Sequence, residues 1–170
     1  LVITKEDGLK PNRSIYNTLG LIVNVFRSFP FIILIVAISS FTRLVVGTSI
    51  GNTAALVPIT VGTAPFMARL IESSLNEVDK GLIEAAKSFG ATNVQIIFKV
   101  MVKESVPSIV LGVTLTIISV LGYTAIAGAV GAGGLGNVAI VYGYQQFDKN
   151  VMLFTVIALV ILVQIIQNLG

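Results

Sequence analysis

The sequence predicts an all-α membrane protein, and three of its properties support this prediction. Of the 170 residues, 55% are hydrophobic, and the mean hydropathy is +0.95. Charged residues make up 11% of the chain, which is less than half of the roughly 25% typical of soluble domains. Several apolar stretches also approach the ~20 residues that a helix needs to cross the hydrocarbon core of a bilayer.

The residue types that are absent exclude several kinds of chemistry. The chain contains neither cysteine nor histidine, so thiol and imidazole catalysis, disulfides and the usual zinc sites are excluded. We therefore expect no metal site and no catalytic residue. The chain starts at Leu1 without a signal peptide, and we expect it to be a fragment that lacks its N-terminal part.

The order of polar and apolar segments predicts four spans. Residues 1–12 are polar and turn-rich and predict a loop. Residues 13–27 predict an amphipathic helix near the headgroups, because apolar side chains recur at helical spacing and Arg27 would interrupt a span. The predicted spans are residues 29–46, 54–73, 105–127 and 151–169. The connecting segments are a tight turn at 47–53, a polar interval at 77–100 and a glycine-rich loop at 128–150.

The second predicted span is unusual for its backbone and for its polar end. Pro58, Gly62 and Pro65 loosen the hydrogen-bond ladder of this helix. Arg69 and Glu72 lie one helical step apart, and we expect them to form an ion pair. The segment is either a kinked, buried helix with an ordinary ion pair or a helix that lines a pathway.

Basic residues predict the orientation of the spans. Lys80, Lys87, Lys99 and Lys103 all lie in or beside the polar interval, which is therefore expected to be cytoplasmic. An even number of crossings then places the N-terminal loop and the C-terminus on the same side.

Two glycine patterns have simpler explanations than their usual motifs. Gly131-Ala-Gly-Gly-Leu-Gly136 matches the letters of a dinucleotide fingerprint, but a membrane helix precedes it, and Asp148 follows too soon to be the ribose ligand. We interpret it as an external loop that packs backbone to backbone at an interface. Gly47-x-x-x-Gly51 is a turn rather than a helix-dimer motif, because it lies outside an apolar 20-mer.

The polar interval itself predicts two short helices. Residues 78–89 are compatible with one helix, Gly90 with the left-handed conformation that ends it, and residues 91–100 with a second helix. Ala85 and Ala86 would let another surface approach the first helix closely, and Glu84 offers a carboxylate. Spacing alone favours a plain cytoplasmic connection between two spans.

Glu84-Ala85-Ala86-x-x-x-Gly90 resembles the EAA loop of ABC-importer permeases, in which this segment is the coupling helix that docks on the ATP-binding subunit. The Leu-Pro that usually closes the motif is replaced here by Val102-Lys103, with Pro107 nearby. Further stretches resemble the methionine-uptake permeases over nearly the whole chain. These stretches are residues 24–34, 42–48, 65–69, 122–123, 131–136 and 142–145.

The resemblance implies a type I ABC-importer permease fold with a cytoplasmic pair of coupling helices. Members of that family have five spans, so the four spans predicted here imply that the first family helix is missing. The residues that it implies for coupling to the ATPase are Gly81, Glu84, Ala85, Ala86, Lys87 and Gly90. Tyr123 and Ile126 are candidates for narrowing the pathway, with a packed aromatic as the alternative for Tyr123.

The same resemblance implies partners and a cellular location. It implies a multi-pass protein of the bacterial inner membrane, surrounded by lipid, that pairs as a homodimer and binds two ABC ATPase subunits. ATP and magnesium would lie on those ATPases, so the chain would bind no cofactor and would not itself be an enzyme. A periplasmic or lipid-anchored binding protein would deliver the substrate, and no nucleic acid is expected.

The implied function is ATP-driven uptake of L- or D-methionine. The alternatives are a permease for another amino acid and an ATP-independent channel or carrier. An ion-coupled carrier is disfavoured, because such relays use intramembrane Asp, Glu or His, and no charged residue falls in the middle of a predicted span.

Overall fold

Helices dominate the computed structural model, which describes residues 1–170 except for the side chain of residue 129. In chain order, the α-helices are α1 (Arg13–Ser28), α2 (Phe31–Ala37), α3 (Ser39–Val46), α4 (Asn52–Asn76), α5 (Lys80–Ser88), α6 (Asn93–Gln95), α7 (Val102–Glu104), α8 (Val106–Ala127), α9 (Gly134–Asn137) and α10 (Lys149–Leu169). A π-helical segment, Ile96–Met101, joins α6 to α7, and a second one, Val138–Gln145, continues α9.

Three described helices are long and apolar enough to cross a membrane, namely α4, α8 and α10. Their bounds lie within a few residues of the last three predicted spans. At most 17% of the most apolar stretch of each helix is buried inside the chain. Such surfaces need an apolar surrounding, which the hydrocarbon core of a bilayer supplies.

The first predicted span, residues 29–46, is wrong as a single helix. The structure divides it into α2 and α3, which meet at Ile38 with φ −98° and ψ 12°. Two serines follow at Ser39 and Ser40, and serine pairs are a common cause of sharp helix kinks. The hydropathy of the segment therefore did not predict its break at Ile38.

A sharp bend separates α1 from α2. The two helices meet at an angle of 101°, where Phe29 is extended and Pro30 is the N-cap residue of α2. Proline disfavours a helical conformation in the preceding residue, which explains where α1 ends. A helix at residues 13–27 is confirmed, and its position near the headgroups stays a prediction.

Small and flexible side chains let α4 pack between its neighbours. A side chain added at Gly112 of α8 would touch Leu70 of α4, and one added at Gly62 of α4 would touch Phe31 and Leu34 of α2. Thr116 of α8 also points its hydroxyl at the sulfur of Met67, 3.6 Å away. Close approach through small residues is the usual means of packing helices in lipid.

The prediction of a loop over residues 128–150 is wrong for its central part, because residues 134–145 are helical. Backbone packing of residues 131–136 across an interface stays a prediction, but close backbone packing occurs within the chain. Gly136 lies directly against the backbone of Ala125, and a Cβ at Gly143 would stand 3.0 Å from the Cα of Met152. The glycines thus allow this helix to lie between α8 and α10, rather than making the segment irregular.

We predict that Gly136→Ala destabilises the protein, because a methyl group would collide with the backbone of Ala125. Overpacking of this kind costs about 1–3 kcal/mol, which thermal unfolding in detergent would detect as a midpoint lower by several degrees. Gly122→Ala is the matched control, because a Cβ there meets nothing within 4 Å. Equal midpoints for the two variants would contradict the close packing.

Candidate functional site

The candidate site is a polar hairpin (residues 77–105) that connects α4 to α8. Two side-chain hydrogen bonds close its base. Ser105 is 3% exposed and donates through Oγ to the carbonyl oxygen of Ser74 over 3.0 Å. Ser108 donates through Oγ to Oε2 of Glu77 over 2.6 Å. The hairpin is therefore attached directly to the ends of two long membrane helices.

A buried cluster holds the two sides of the polar hairpin together. Its centre is Ile96, which is fully buried, with Val78 and Met101 beside it at 6% and 5% exposure. Ile83 and Ala86 of α5 pack on this cluster from one side and Leu75 of α4 from another; Val2, Leu9, Ala91 and Ile97 complete it. The cluster joins α5 to the end of α4.

Local signals define both ends of α5. The carboxylate of Asp79 accepts a hydrogen bond from the backbone N–H of Gly81 over 2.6 Å and so caps the first turn. At the other end, Gly90 has φ +76°, which confirms the predicted left-handed residue. Its N–H donates to Lys87, and the N–H of Ala91 donates to Ala86, which is the Schellman arrangement.

The second side of the polar hairpin begins with a capping box. The N–H of Gln95 donates to the hydroxyl of Thr92 over 3.4 Å, and the N–H of Thr92 donates to Oε1 of Gln95 over 2.9 Å. These reciprocal bonds satisfy two backbone donors that a helix N-terminus otherwise leaves unpaired. Helical structure then continues from Asn93 to Glu104.

The structure places the predicted coupling residues on two different faces. Those that are exposed to solvent are Gly81, Glu84, Ala85, Lys87 and Gly90. Ala86 is half-buried and packs on the cluster around Ile96. The two neighbouring alanines therefore differ in role: Ala85 lies on the open face, whereas Ala86 lets α5 approach the rest of the hairpin.

The hairpin also exposes large apolar side chains that sequence reasoning missed. Phe89 is 91% exposed at the end of α5, and Phe98 and Val94 are 67% and 63% exposed on the second side. An aromatic residue in a segment of otherwise mixed charge was the available signal for Phe89. Exposed apolar groups clustered on a polar segment indicate a surface that another protein covers.

Charge interactions tie the hairpin to the start of the chain. The Lys80 ammonium donates to Oδ2 of Asp7 over 2.7 Å, and this hydrogen bond lowers the pKa of Asp7 and raises the pKa of Lys80. Both charged forms are therefore favoured near neutral pH. The contribution is lost when the pH falls through the lowered pKa of Asp7 or rises through the raised pKa of Lys80.

The pathway candidates lie in a packed environment. The ring of Tyr123 stacks on that of Phe31 with centroids 4.3 Å apart. Tyr123 and Ile126 both pack on a second buried cluster, which includes Leu34, Ile35 and Ala127. This packing favours the structural alternative for Tyr123, and the pathway role stays a prediction.

The predicted ion pair at the end of the second span is confirmed. Arg69 contacts the carboxylate of Glu72, and Glu72 is 7% exposed. The same guanidinium donates through Nη2 to Oδ1 of Asn24 over 2.9 Å. The pair thereby links α4 to α1, a contact that explains the pair without a pathway role.

Comparisons with known proteins decide the family. Residues 2–169 match the family described as the inner membrane component of binding-protein-dependent transport systems. The chain belongs to this family.

Two permeases with high sequence identity support the assignment. The probable D-methionine transport system permease protein MetI of Vibrio cholerae is 53% identical over 167 residues, which cover 98% of this chain and 74% of that protein. The methionine import system permease protein MetP of Bacillus subtilis is 48% identical over 170 residues, which cover 100% and 77%.

A solved structure confirms the fold of this permease-family chain. A chain of the MetNI methionine ABC transporter, solved in inward-facing conformations, matches with a TM-score of 0.96 at 49% identity. The match covers 99% of this chain and 78% of that one. The chain therefore has the all-α type I importer permease fold and is a multi-pass protein of the inner membrane.

We predict that Asp79→Ala loosens α5, because it removes the acceptor for the N–H of Gly81. Loss of such a cap costs about 1 kcal/mol, so the amides of α5 should exchange with deuterium roughly fivefold faster. Asp79→Asn keeps an acceptor oxygen and should exchange like the wild type. Unchanged exchange in Asp79→Ala would show that the cap does not hold the helix.

Proposed function

We propose that this chain is the permease subunit of an ATP-driven importer and that the polar hairpin couples it to an ATPase subunit. The observation that carries this proposal is the open face of α5. It presents Glu84 and Ala85 beside Phe89, while the opposite face is anchored to α4 through the cluster around Ile96. A helix that is fixed on one side and bare on the other is suited to receive force from a partner.

The chemistry of the open face suits a groove on another protein. Ala85 leaves the backbone of α5 accessible, and Phe89 provides an apolar anchor of the kind that dominates protein interfaces. The carboxylate of Glu84 would meet a basic group at the rim. ATP and magnesium would both be held by the partner, so this chain contributes the docking helix and binds neither.

The transport cycle follows from this attachment. Two copies of the chain would form the path, each docked on one ATPase. ATP would bring the two ATPases together and draw the hairpins with them, so that α4 and α8 change the side on which the path is open. ATP has this effect only through its different affinity for the two states. The hairpin and the C-terminus would be cytoplasmic, and a binding protein would deliver substrate outside.

Methionine, in its L or D form, is the proposed substrate. This proposal is supported by the names of the two relatives, which are 53% and 48% identical and are both described as methionine permeases, and by the matching methionine transporter. Another amino acid is the nearest alternative.

We predict that liposomes containing this chain with its ATPase and binding protein accumulate labelled methionine only when ATP is inside. The chain alone should give no accumulation, because it supplies no energy source of its own, and no downhill flux, because the proposed path opens to one side at a time. Accumulation would be followed by filtration over minutes, with a non-hydrolysable ATP analogue as the control. Methionine flux through the chain alone would instead indicate a channel or carrier.

We predict that Phe89→Ala weakens binding of the ATPase subunit roughly 30-fold, because truncation of a buried aromatic anchor costs about 2 kcal/mol. Phe154→Ala is the matched control, since Phe154 is 71% exposed on α10, away from the hairpin. Affinity would be measured with purified subunits in detergent. Equal affinities of the two variants for the ATPase would show that Phe89 is not part of the interface.

A further inference from the structure

The N-terminal segment (residues 1–12) folds back on itself rather than hanging as a loose connection. The N–H of Lys10 donates to the carbonyl oxygen of Ile3, and the N–H of Asn12 donates to that of Thr4, each over 2.9 Å. Asn12 then caps α1 by accepting from the N–H of Ile15 over 3.1 Å. The segment is therefore continuous with α1 both in sequence and in hydrogen bonding.

This segment contacts both sides of the polar hairpin. Asp7 accepts from Lys80, the first residue of α5, over 2.7 Å. The side-chain amide of Asn93, the first residue on the second side, donates to the carbonyl oxygen of Leu9 over 3.4 Å. Leu9 and Val2 also pack on the buried cluster of the hairpin.

A small cavity of about 70 Å³ marks the contact. Its wall includes Asp7 and Gly8 from the segment and Lys80, Ile83 and Lys87 from α5. The segment thus lies against the side of α5 that carries Lys80, Ile83 and Lys87, which is opposite to Ala85. Since α1 is bonded to α4 through Asn24 and Arg69, the segment supplies a second connection from α5 to the membrane helices.

We infer that the N-terminal segment is a strap that sets the orientation of α5 for docking, with Asp7 as its positioning residue. This inference rests on the proposed function of α5. Asp7 would not touch the ATPase itself; it acts by holding Lys80 and, through it, the start of the coupling helix. Without the strap, only the apolar cluster would hold α5. The helix would then tilt when the ATPase moves, and less of that motion would reach the membrane helices.

The test is a charge reversal and its rescue, with the number of methionine molecules imported per ATP hydrolysed as the readout. Asp7→Lys places three ammonium groups together, because Asp7 contacts both Lys80 and Lys5, the latter over 3.4 Å. We expect this ratio to fall roughly threefold, the scale of an exposed ion pair. Adding Lys80→Asp restores opposite charges and should restore the ratio. Glu6→Lys is the control, because it changes the charge by the same amount at a residue that pairs with Arg13, 3.9 Å away, and not with the hairpin.

Failure of the strap and failure of the proposed function give different results. If the wild-type complex shows no ATP-driven import, the proposed function is wrong. If the wild type imports methionine and Asp7→Lys imports as many molecules per ATP, the strap is overturned. The strap is also overturned if the double variant imports as few molecules per ATP as Asp7→Lys. Where Asp7→Lys also assembles poorly with the ATPase, recovery of assembly and ratio in the double variant supports the strap.

Discussion

The burial of Ile96 between Val78 and Met101 is the contact on which the rest of the candidate site depends. Isolated helices shorter than about 12–15 residues are marginal in water, and α5 spans nine residues. Its caps fix where it begins and ends, but its position comes from the cluster that Ile83 and Ala86 join. Because Leu75 of α4 belongs to the same cluster, any force on α5 reaches a membrane helix directly.

The membrane helices complement this contact by packing through small groups rather than large ones. Gly62, Gly112 and Gly136 each stand where a larger side chain would press on a neighbouring helix. Lipid gives no hydrophobic advantage to helix association, so close approach and dispersion must hold the bundle.

Sequence reasoning succeeded where a signal was local and failed where it depended on neighbours. The three long helices followed from apolar runs with polar ends, and the end of α5 followed from Gly90. The break at Ile38 and the helix over residues 134–145 were missed, because hydropathy does not report continuity and glycine was taken as a mark of irregular backbone.

The face on which each site residue lies also depended on tertiary contacts. Ala85 and Ala86 look alike in the sequence, yet the cluster around Ile96 covers only Ala86. The contact between Asp7 and Lys80 joins residues 73 positions apart, and no periodicity predicts it. The sequence therefore predicted which residues could belong to the site, whereas the contacts of those residues could be identified only from the folded structure.

The most direct test of the coupling role is the distance between the two copies of α5 in the assembled transporter. The chain has no cysteine, so Ser88→Cys, an exposed position of α5, gives the purified chain a single site for a spin label before it is assembled with the ATPase. Pulsed electron paramagnetic resonance should show a shorter distance between the two labels when ATP is bound than without nucleotide. An identical distance in both states would contradict a coupling helix that carries the motion of an ATPase into the membrane.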